Sequence, residues 1–182
     1  MPRQYFRSLT IEPLPVINSA VTLTATTDIA LFAQVSQIAI PATDIAPGKI
    51  WKLTAGGVCT TAASGTWTIT PRFGQLVTSP SMGASAAVTT TVSGTAIPWM
   101  MEAYIQCEIL GLTGTNSKFS CLGYFQAQAA TTVGAAWTIV FGGVPNAAVD
   151  AVGVAAGIQF SINASITACT ITPHLVLLES LN

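Results

Sequence analysis

The stretch PWMMEAYIQCEIL, residues 98–110, decides the fold class of this chain. Its apolar residues recur at every second position, which is the period of a β-strand with one buried face. The face predicted to be buried carries Trp99, Met101, Ala103, Ile105, Cys107 and Ile109. The opposite face carries Glu102, Gln106 and Glu108. We therefore predict a long strand here, with the first set of residues in the core.

The next apolar stretch, KFSCLGYFQAQ at 118–128, repeats this alternation with Phe119, Cys121 and Phe125. The segment 111–117 between the two stretches contains Gly, Asn and Ser, and these residues favour turns. The two stretches are therefore predicted to form an antiparallel hairpin.

Upstream, KIWKLTAGGV (49–58) and GTWTITPRF (65–73) are separated by a short segment of Thr, Ala and Ser, which predicts another hairpin. The core face of the second strand is predicted to carry Trp67, Ile69 and Phe73. Pro71 has no N–H to donate to a neighbouring strand, so it indicates a sheet edge or a bulge.

Shorter runs rich in β-branched and aromatic residues predict further strands between Gly, Pro, Asn and Ser clusters. These runs lie at 137–143, 157–165 and 169–180, and near 20–26, 29–38 and 86–92. No segment shows the sustained spacing of three and four residues that an amphipathic helix requires. With about eight to ten strands, the predicted fold class is all-β, an antiparallel β-sandwich or jelly roll.

Residues 1–16 differ in composition from the rest of the chain. Arg3, Tyr5, Phe6 and Arg7 mix charge with aromatic rings, and two prolines follow. We interpret this segment as an extended N-terminal arm, the alternative being a frayed terminus. Residues 17–182 are enough for one domain with a sizeable core and too few for two ordinary domains.

Charge is scarce throughout the chain. Asp, Glu, Lys and Arg make up 7% of its residues and the formal net charge is −1, against roughly 25% charged residues in an average soluble protein. Such a neutral surface, with 51% hydrophobic residues, lacks the repulsion that keeps proteins apart in solution. We therefore expect burial against partners. The six Lys and Arg residues are scattered, which argues against nucleic acid as a partner.

Two long segments without charge, 73–101 and 119–149, raise the question of a membrane span. Both are interrupted by Gly and Pro, so neither is predicted to cross a membrane as a helix. The N-terminus has no apolar stretch of the length found in secretory signals. We expect the protein to be made in a cytoplasm and to have no membrane partner.

Catalysis requires titratable groups that converge, and this chain has one histidine, His174, and seven carboxylates along its length. Glu102 and Glu108 are six residues apart on one face of a strand, which separates them by ~20 Å. This distance is too long for a paired acid and base. We therefore predict no enzyme activity, no cofactor and no metal, and we interpret His174 as a surface residue.

The four cysteines, Cys59, Cys107, Cys121 and Cys169, include no CxxC pair. In a reducing compartment each is predicted to act as a small buried hydrophobic residue. The alternatives are two disulfides, in any of three pairings, or a metal site, which normally uses closely spaced ligands.

Three phrases carry a resemblance to a known class of proteins: GKIWKLTAGGVCTT (48–61), GTWTITPRFG (65–74) and AIPWMMEAYIQCEILG (96–111). Together with the N-terminal arm, they resemble structural proteins of tailed-bacteriophage virions. The resemblance implies a jelly roll on the outside of the particle. It implies a capsid decoration (cement) protein, most often a trimer, that sits on the major capsid protein and stabilises the shell.

This resemblance also implies which residues contact partners. The residues expected to bind the capsid or a neighbouring copy are Arg3, Tyr5, Phe6 and Arg7 of the arm. Contacts within a trimer would use an apolar strand face left over once the core is filled, at Val176 and Leu178. The protein would be made in the host cytoplasm and end on the capsid exterior.

Two other classes remain open at this point. A tail or fibre jelly roll that binds a host glycan would need exposed aromatic rings and carboxylates, and the candidates are Glu102, Tyr104 and Glu108. A binding module or shell protein unrelated to phage would share the composition.

Overall fold

The predicted antiparallel β-sandwich is confirmed in a computed structural model of the chain. The structure describes residues 12–13, 20–23, 27–32, 38–40, 44–62, 65–74, 76–90, 93–111, 117–128, 136–149, 157–166 and 169–181. These residues form two antiparallel sheets whose apolar sides face each other.

The large sheet contains most of the long strands. In spatial order it has β1 (Glu12–Pro13), β12 (Thr170–Ser180), β5 (Ile50–Thr61), β8 (Gly94–Ile109), β9 (Ser117–Gln128) and β10 (Ala136–Val149), and β2 (Val21–Thr22) also pairs with β12. The small sheet has β3 (Ile29–Ala30), β11 (Gly157–Ala164), β6 (Thr66–Phe73) and β7 (Val88–Thr89), and β4 (Ile38–Ala39) also pairs with β11. The count of twelve exceeds the prediction, partly because β3 and β4 lie at the two ends of the single strand predicted at 29–38.

The hairpin predicted from residues 98–110 and 118–128 is confirmed. Strands β8 and β9 pair antiparallel, with Trp99 opposite Ala127 and Cys107 opposite Phe119. The predicted core face is buried from Trp99 to Cys107, but Ile109 is 49% exposed, so the prediction was wrong at that residue. The ladder shifts register after Cys107, and such a shift moves the following residues to the other face of the sheet.

The hairpin predicted from residues 49–58 and 65–73 is wrong. Strand β5 lies in the large sheet between β12 and β8, whereas β6 lies in the small sheet between β11 and β7. Both strands have one apolar face, and that pattern is satisfied either by pairing side by side or by packing face to face. Here the chain crosses from the large sheet to the small sheet after Thr61, so the two strands belong to opposite sheets.

Aromatic side chains from both sheets fill the space between them. Trp67 of the small sheet packs edge-on against Trp137 of the large sheet, with ring centroids 5.2 Å apart. Phe73 stacks on Phe119 at 3.6 Å. Because each such ring buries a large apolar area, these contacts hold the two sheets together.

A close contact between glycines joins a loop to the edge of the large sheet. The N–H of Gly142 in β10 donates to the carbonyl of Gly83 at 3.1 Å, and both residues have positive φ, 101° and 105°. A Cβ on Gly142 would lie 2.0 Å from the carbonyl oxygen of Cys121. Only glycine is compatible with this crossing.

Candidate functional site

The side of the large sheet that faces away from the core has an unusual composition for a sandwich, and we call it the open face. It consists of the outward residues of β12, β5, β8, β9 and β10. Eight large apolar side chains are exposed in the described part of the chain, and six of them lie on this face. They are Met100, Tyr104, Leu122, Val140, Leu175 and, past the register shift in β8, Ile109.

The strand register places these side chains next to one another. Leu122 is opposite Tyr104 on β8, and Val140 is opposite Tyr124, the next outward residue of β9. Residues directly opposite on one face of an antiparallel pair have Cβ atoms ~4.5–5.5 Å apart. Leu122 and Val140 are each 64% exposed, so the middle of the sheet presents a continuous apolar area.

A charged pair lies beside this area, towards β5. The ammonium of Lys52 is 2.8 Å from a carboxylate oxygen of Glu102 and 5.6 Å from the centre of the Tyr104 ring. The hydrogen bond from Lys52, followed by one from Tyr104, lowers the pKa of Glu102. The same bond to Glu102 raises the pKa of Lys52. The two charges are therefore paired within the chain.

The three residues considered for glycan binding all belong to β8. Glu102 and Tyr104 are neighbours on the open face, as the alternation of the strand requires. Glu108 is exposed near the end of the same strand. The carboxylate of Glu102 is already bonded to Lys52, so an incoming hydroxyl would have to compete with that ammonium.

Groups that could support chemistry are few in the part of the chain that the structure describes. Within it, no group of three or more His, Cys, Asp or Glu side chains is placed to hold a metal. His174 is exposed on β12, where the register shifts after Pro173. A cavity of about 270 Å³ at the start of β8 is lined by Ser93, Gly94, Thr95, Ala96, Ile97, Pro98 and Gln128. None of these lining residues titrates near neutral pH.

The cysteines are buried and unpaired, as predicted. Burial raises the pKa of Cys121 to about 12 and that of Cys107 to about 11. Burial, together with the neighbouring Cys169, raises the pKa of Cys59 to about 12. A thiol with so high a pKa is a poor nucleophile and a poor metal ligand at neutral pH.

In β12, the structure reverses the inward and outward faces that the sequence predicted. Val176 is 3% exposed and belongs to the core, and Leu178 packs against the core, whereas Leu175 is 45% exposed. The register shift at His174 explains the error, because the alternation that begins at Ile171 changes phase there. In its own chain Val176 has no surface left for a second copy, and the outward residue is Leu175.

The predicted docking residues Arg3, Tyr5, Phe6 and Arg7 lie outside the described residues. The end of the proposed arm is described, because Glu12 and Pro13 form β1 and pair with Leu178 and Leu177 of β12. At least this part of the arm is bound to its own chain.

The outer side of the small sheet is covered by polar contacts. Arg72 donates to the Ser79 carbonyl at 2.8 Å and to Ser161 Oγ at 2.9 Å, and it pairs with Asp28 at 2.6 Å. Ser161 is 1% exposed and Gln159 is 4% exposed. This side of the sandwich is closed by the chain itself.

A buried cation, Lys49, lies beneath the loop before β5. Lys49 is 5% exposed, and its ammonium is 3.1 Å from Asp44 Oδ1 in an ion pair that lacks hydrogen-bond geometry. Asp44 Oδ2 also accepts a hydrogen bond from the Trp51 indole at 3.2 Å. The carboxylate therefore fixes the loop to the strand.

Sequence reasoning missed the open face, although the signal was present. Tyr104 alternates with the core residues of β8, and Leu122 and Tyr124 alternate with those of β9. Large apolar residues at the outward positions of two adjacent strands indicate a surface that another molecule covers. Val140 alternates in the same way with Trp137, Ile139 and Phe141, the core residues of β10.

Comparisons with protein families, with curated proteins and with solved structures found no match for this chain. In the described ranges, no helix has both the length and the apolar character needed to cross a membrane.

Proposed function

We propose that this protein is a structural component of a virion with no catalytic role. In this proposal it is a decoration (cement) protein that binds the outer surface of the capsid and stabilises the shell. It acts as a homo-oligomer, in our proposal a trimer, and its other partner is the major capsid protein. It needs no cofactor.

The observation that carries the proposal is the open face, on which exposed apolar residues stand on long, paired strands. Exposed apolar surface of this kind marks sites of protein contact. A rigid sheet loses little conformational entropy when it is covered, which favours a role in stable assembly. The low charge of the chain supports the same role, because many neutral copies can be packed together without repulsion.

The second element of the proposal is the arm. Residues 1–11 precede β1, which pairs with β12 at one edge of the large sheet. We assign capsid binding to Arg3, Tyr5, Phe6 and Arg7 within this segment, since aromatic and Arg side chains are the residue types that dominate contact energies at interfaces.

The test is binding to capsid shells assembled from the capsid gene that neighbours this gene. The full chain should sediment with the shells, and a variant lacking residues 1–11 should remain in the supernatant. A variant that replaces Arg3 and Arg7 with Ala, and keeps both aromatic residues, should bind with lower affinity that depends less on salt. Failure of the full chain to bind shells, or undiminished binding without the arm, would contradict this function.

A second candidate function is supported by Tyr104, which is 41% exposed beside the carboxylate of Glu102. Aromatic rings next to carboxylates are a common arrangement for carbohydrate binding. In a tail or fibre protein, this pair would stack on and hydrogen-bond a host glycan. A glycan array separates the two functions: saturable binding that Tyr104→Ala abolishes would favour a tail protein over a capsid protein.

A further inference from the structure

We propose that copies of this chain bind one another through the open face, with Leu122 at the centre of the contact. This inference rests on the proposed function, because it names the surface that forms the oligomer. The open face takes the place of the contact expected at Val176, which lies in the core of each copy, and at Leu178, which packs against that core.

The open face has the layout of an interface. Leu122 has Tyr104 opposite it on one side and Gly142 on the other, and Val140 and Tyr124 lie in the adjacent row. The ion pair of Lys52 on β5 and Glu102 on β8 separates this group from Leu175 of β12. A group of apolar and aromatic side chains that borders on polar residues is typical of surfaces that proteins use to associate.

The electrostatics favour a second copy as the occupant. The ion pair of Lys52 and Glu102 on this face is closed within each chain at 2.8 Å, so its burial would leave no cation or anion without a partner. A charged partner would gain nothing from such a face. A neutral surface matches it, and this chain, with 7% charged residues and a net charge of −1, has that property itself.

The size of the open face limits the expected strength of association between copies. Five strands spaced ~4.8 Å apart, and six residues of each at ~3.3 Å, give a projected area of ~400 Å². A standard interface buries ~800 Å² per partner, so this face supplies about half of that. A contact of this size is typical of weak, transient association, so we expect the isolated protein to associate only at high concentration, with higher occupancy when copies are held side by side on a particle.

The edge of the sheet next to this face is also neutral. Strand β10, residues Ala136–Val149, contains no charged residue, although charged residues are a common protection of edge strands against pairing with another chain. Other protections are present at this edge, because β10 contains Pro145, its pairing with β9 shifts register after Gly143, and the carbonyl of Gly83 caps the N–H of Gly142. We therefore expect contact with a second copy through the face of the sheet and not through this edge.

The experiment is sedimentation velocity over a concentration series that reaches the millimolar range, with the full chain, Leu122→Glu and Leu76→Glu. Leu76 is a matched control, because it is 61% exposed and Leu122 is 64% exposed, but it lies in the loop after β6. The full chain should shift from 18.7 kDa towards three times that mass if the open face of one copy meets a different surface of the next, as a three-fold ring requires, and towards twice that mass if two open faces meet. Leu122→Glu should weaken association at least tenfold, and Leu76→Glu should leave it unchanged.

A second substitution, Val140→Thr, guards against misfolding, because threonine keeps the shape and the strand preference of valine. It should weaken association less than Leu122→Glu does, with an unchanged near-ultraviolet spectrum. If the full chain associates and neither variant weakens it, the open face is not the contact, while the decoration function stands. If Leu122→Glu loses shell binding but keeps association, the occupant is the capsid and the inference is overturned.

The size of the oligomer separates the remaining outcomes. A dimer that Leu122→Glu dissociates would support the face and refute the proposed trimer. A full chain that stays at 18.7 kDa at every concentration would overturn this inference, and shell binding, measured separately, would then decide the proposed function.

Discussion

The two outer sides of the sandwich differ in the polarity and the exposure of their residues. On the small sheet, polar residues are buried under a network around Arg72, which reaches Asp28, Ser79 and Ser161. On the large sheet, apolar residues such as Leu122 remain exposed. Each sheet therefore departs from the expected pattern, in which outward residues are polar and solvated: the small sheet buries polar residues on its outer side, and the large sheet exposes large apolar residues among its polar ones.

This difference shows which surface is available to another molecule. A network whose donors and acceptors are satisfied by the chain itself gains little from a partner. An exposed apolar area gains free energy in proportion to the area removed from water, at ~25 cal/mol per Å². The partner surface should therefore lie on the large sheet.

The largest expected effect concerns the interior that both sheets enclose. Because burial raises the pKa of Cys59 and Cys121 to about 12, their thiolate fraction at pH 8 should be about a thousandfold below that of an exposed cysteine. A disulfide reagent should react with none of the four thiols in the native protein within minutes, and with all four after unfolding. Fast reaction of the native protein would mean that the sandwich is open.

The next effect compares the two faces of one strand, β9. Phe125→Ala removes a ring packed between Trp99 and Trp137 and should lower the free energy of unfolding by about 3–5 kcal/mol. Leu122→Ala, on the open face, should change it by less than about 0.5 kcal/mol. Urea unfolding at low protein concentration measures both. A large loss for Leu122→Ala would show that the open face stabilises the fold itself.

A third comparison uses the ion pairs of the two outer sides. Arg72→Ala leaves Ser161 and Asp28 without their cation and should lower the free energy of unfolding by about 2 kcal/mol. The matched change, Lys52→Ala, breaks the pair with Glu102 at the surface and should fall within the error of the same unfolding measurement. Equal effects for the two variants would remove the distinction between a closed side and an open one.

The smallest expected effect is the pH dependence of stability that comes from Glu102 on the open face. Because the pKa of Glu102 is lowered in the folded protein, its contribution to stability is present above its unfolded pKa and is lost as the pH falls through the folded pKa. Glu102→Gln should therefore melt roughly 1 °C below the parent at pH 7, and the two proteins should melt together once the pH is well below the lowered pKa of Glu102. A constant difference in melting temperature across this range would exclude the carboxylate charge as its source.

Local pattern was sufficient for the elements of the fold and insufficient for their arrangement. The alternation in residues 98–110 correctly predicted the core face from Trp99 to Cys107. Alternation failed at Ile109 in this strand and at Val176 in β12, in each case after a register shift. A shift depends on the partner strand, and nothing in the strand's own alternation indicates where it falls.

The sequence by itself determined that this is an all-β protein with a neutral surface and a closed, cysteine-containing core, because these properties follow from composition and from a period of two. Only the tertiary structure decided that β5 and β6 face each other, that Val176 points inward, and that Leu122 and Val140 share an exposed area. These facts depend on which strands become neighbours, and that choice is made by packing between residues far apart in the chain.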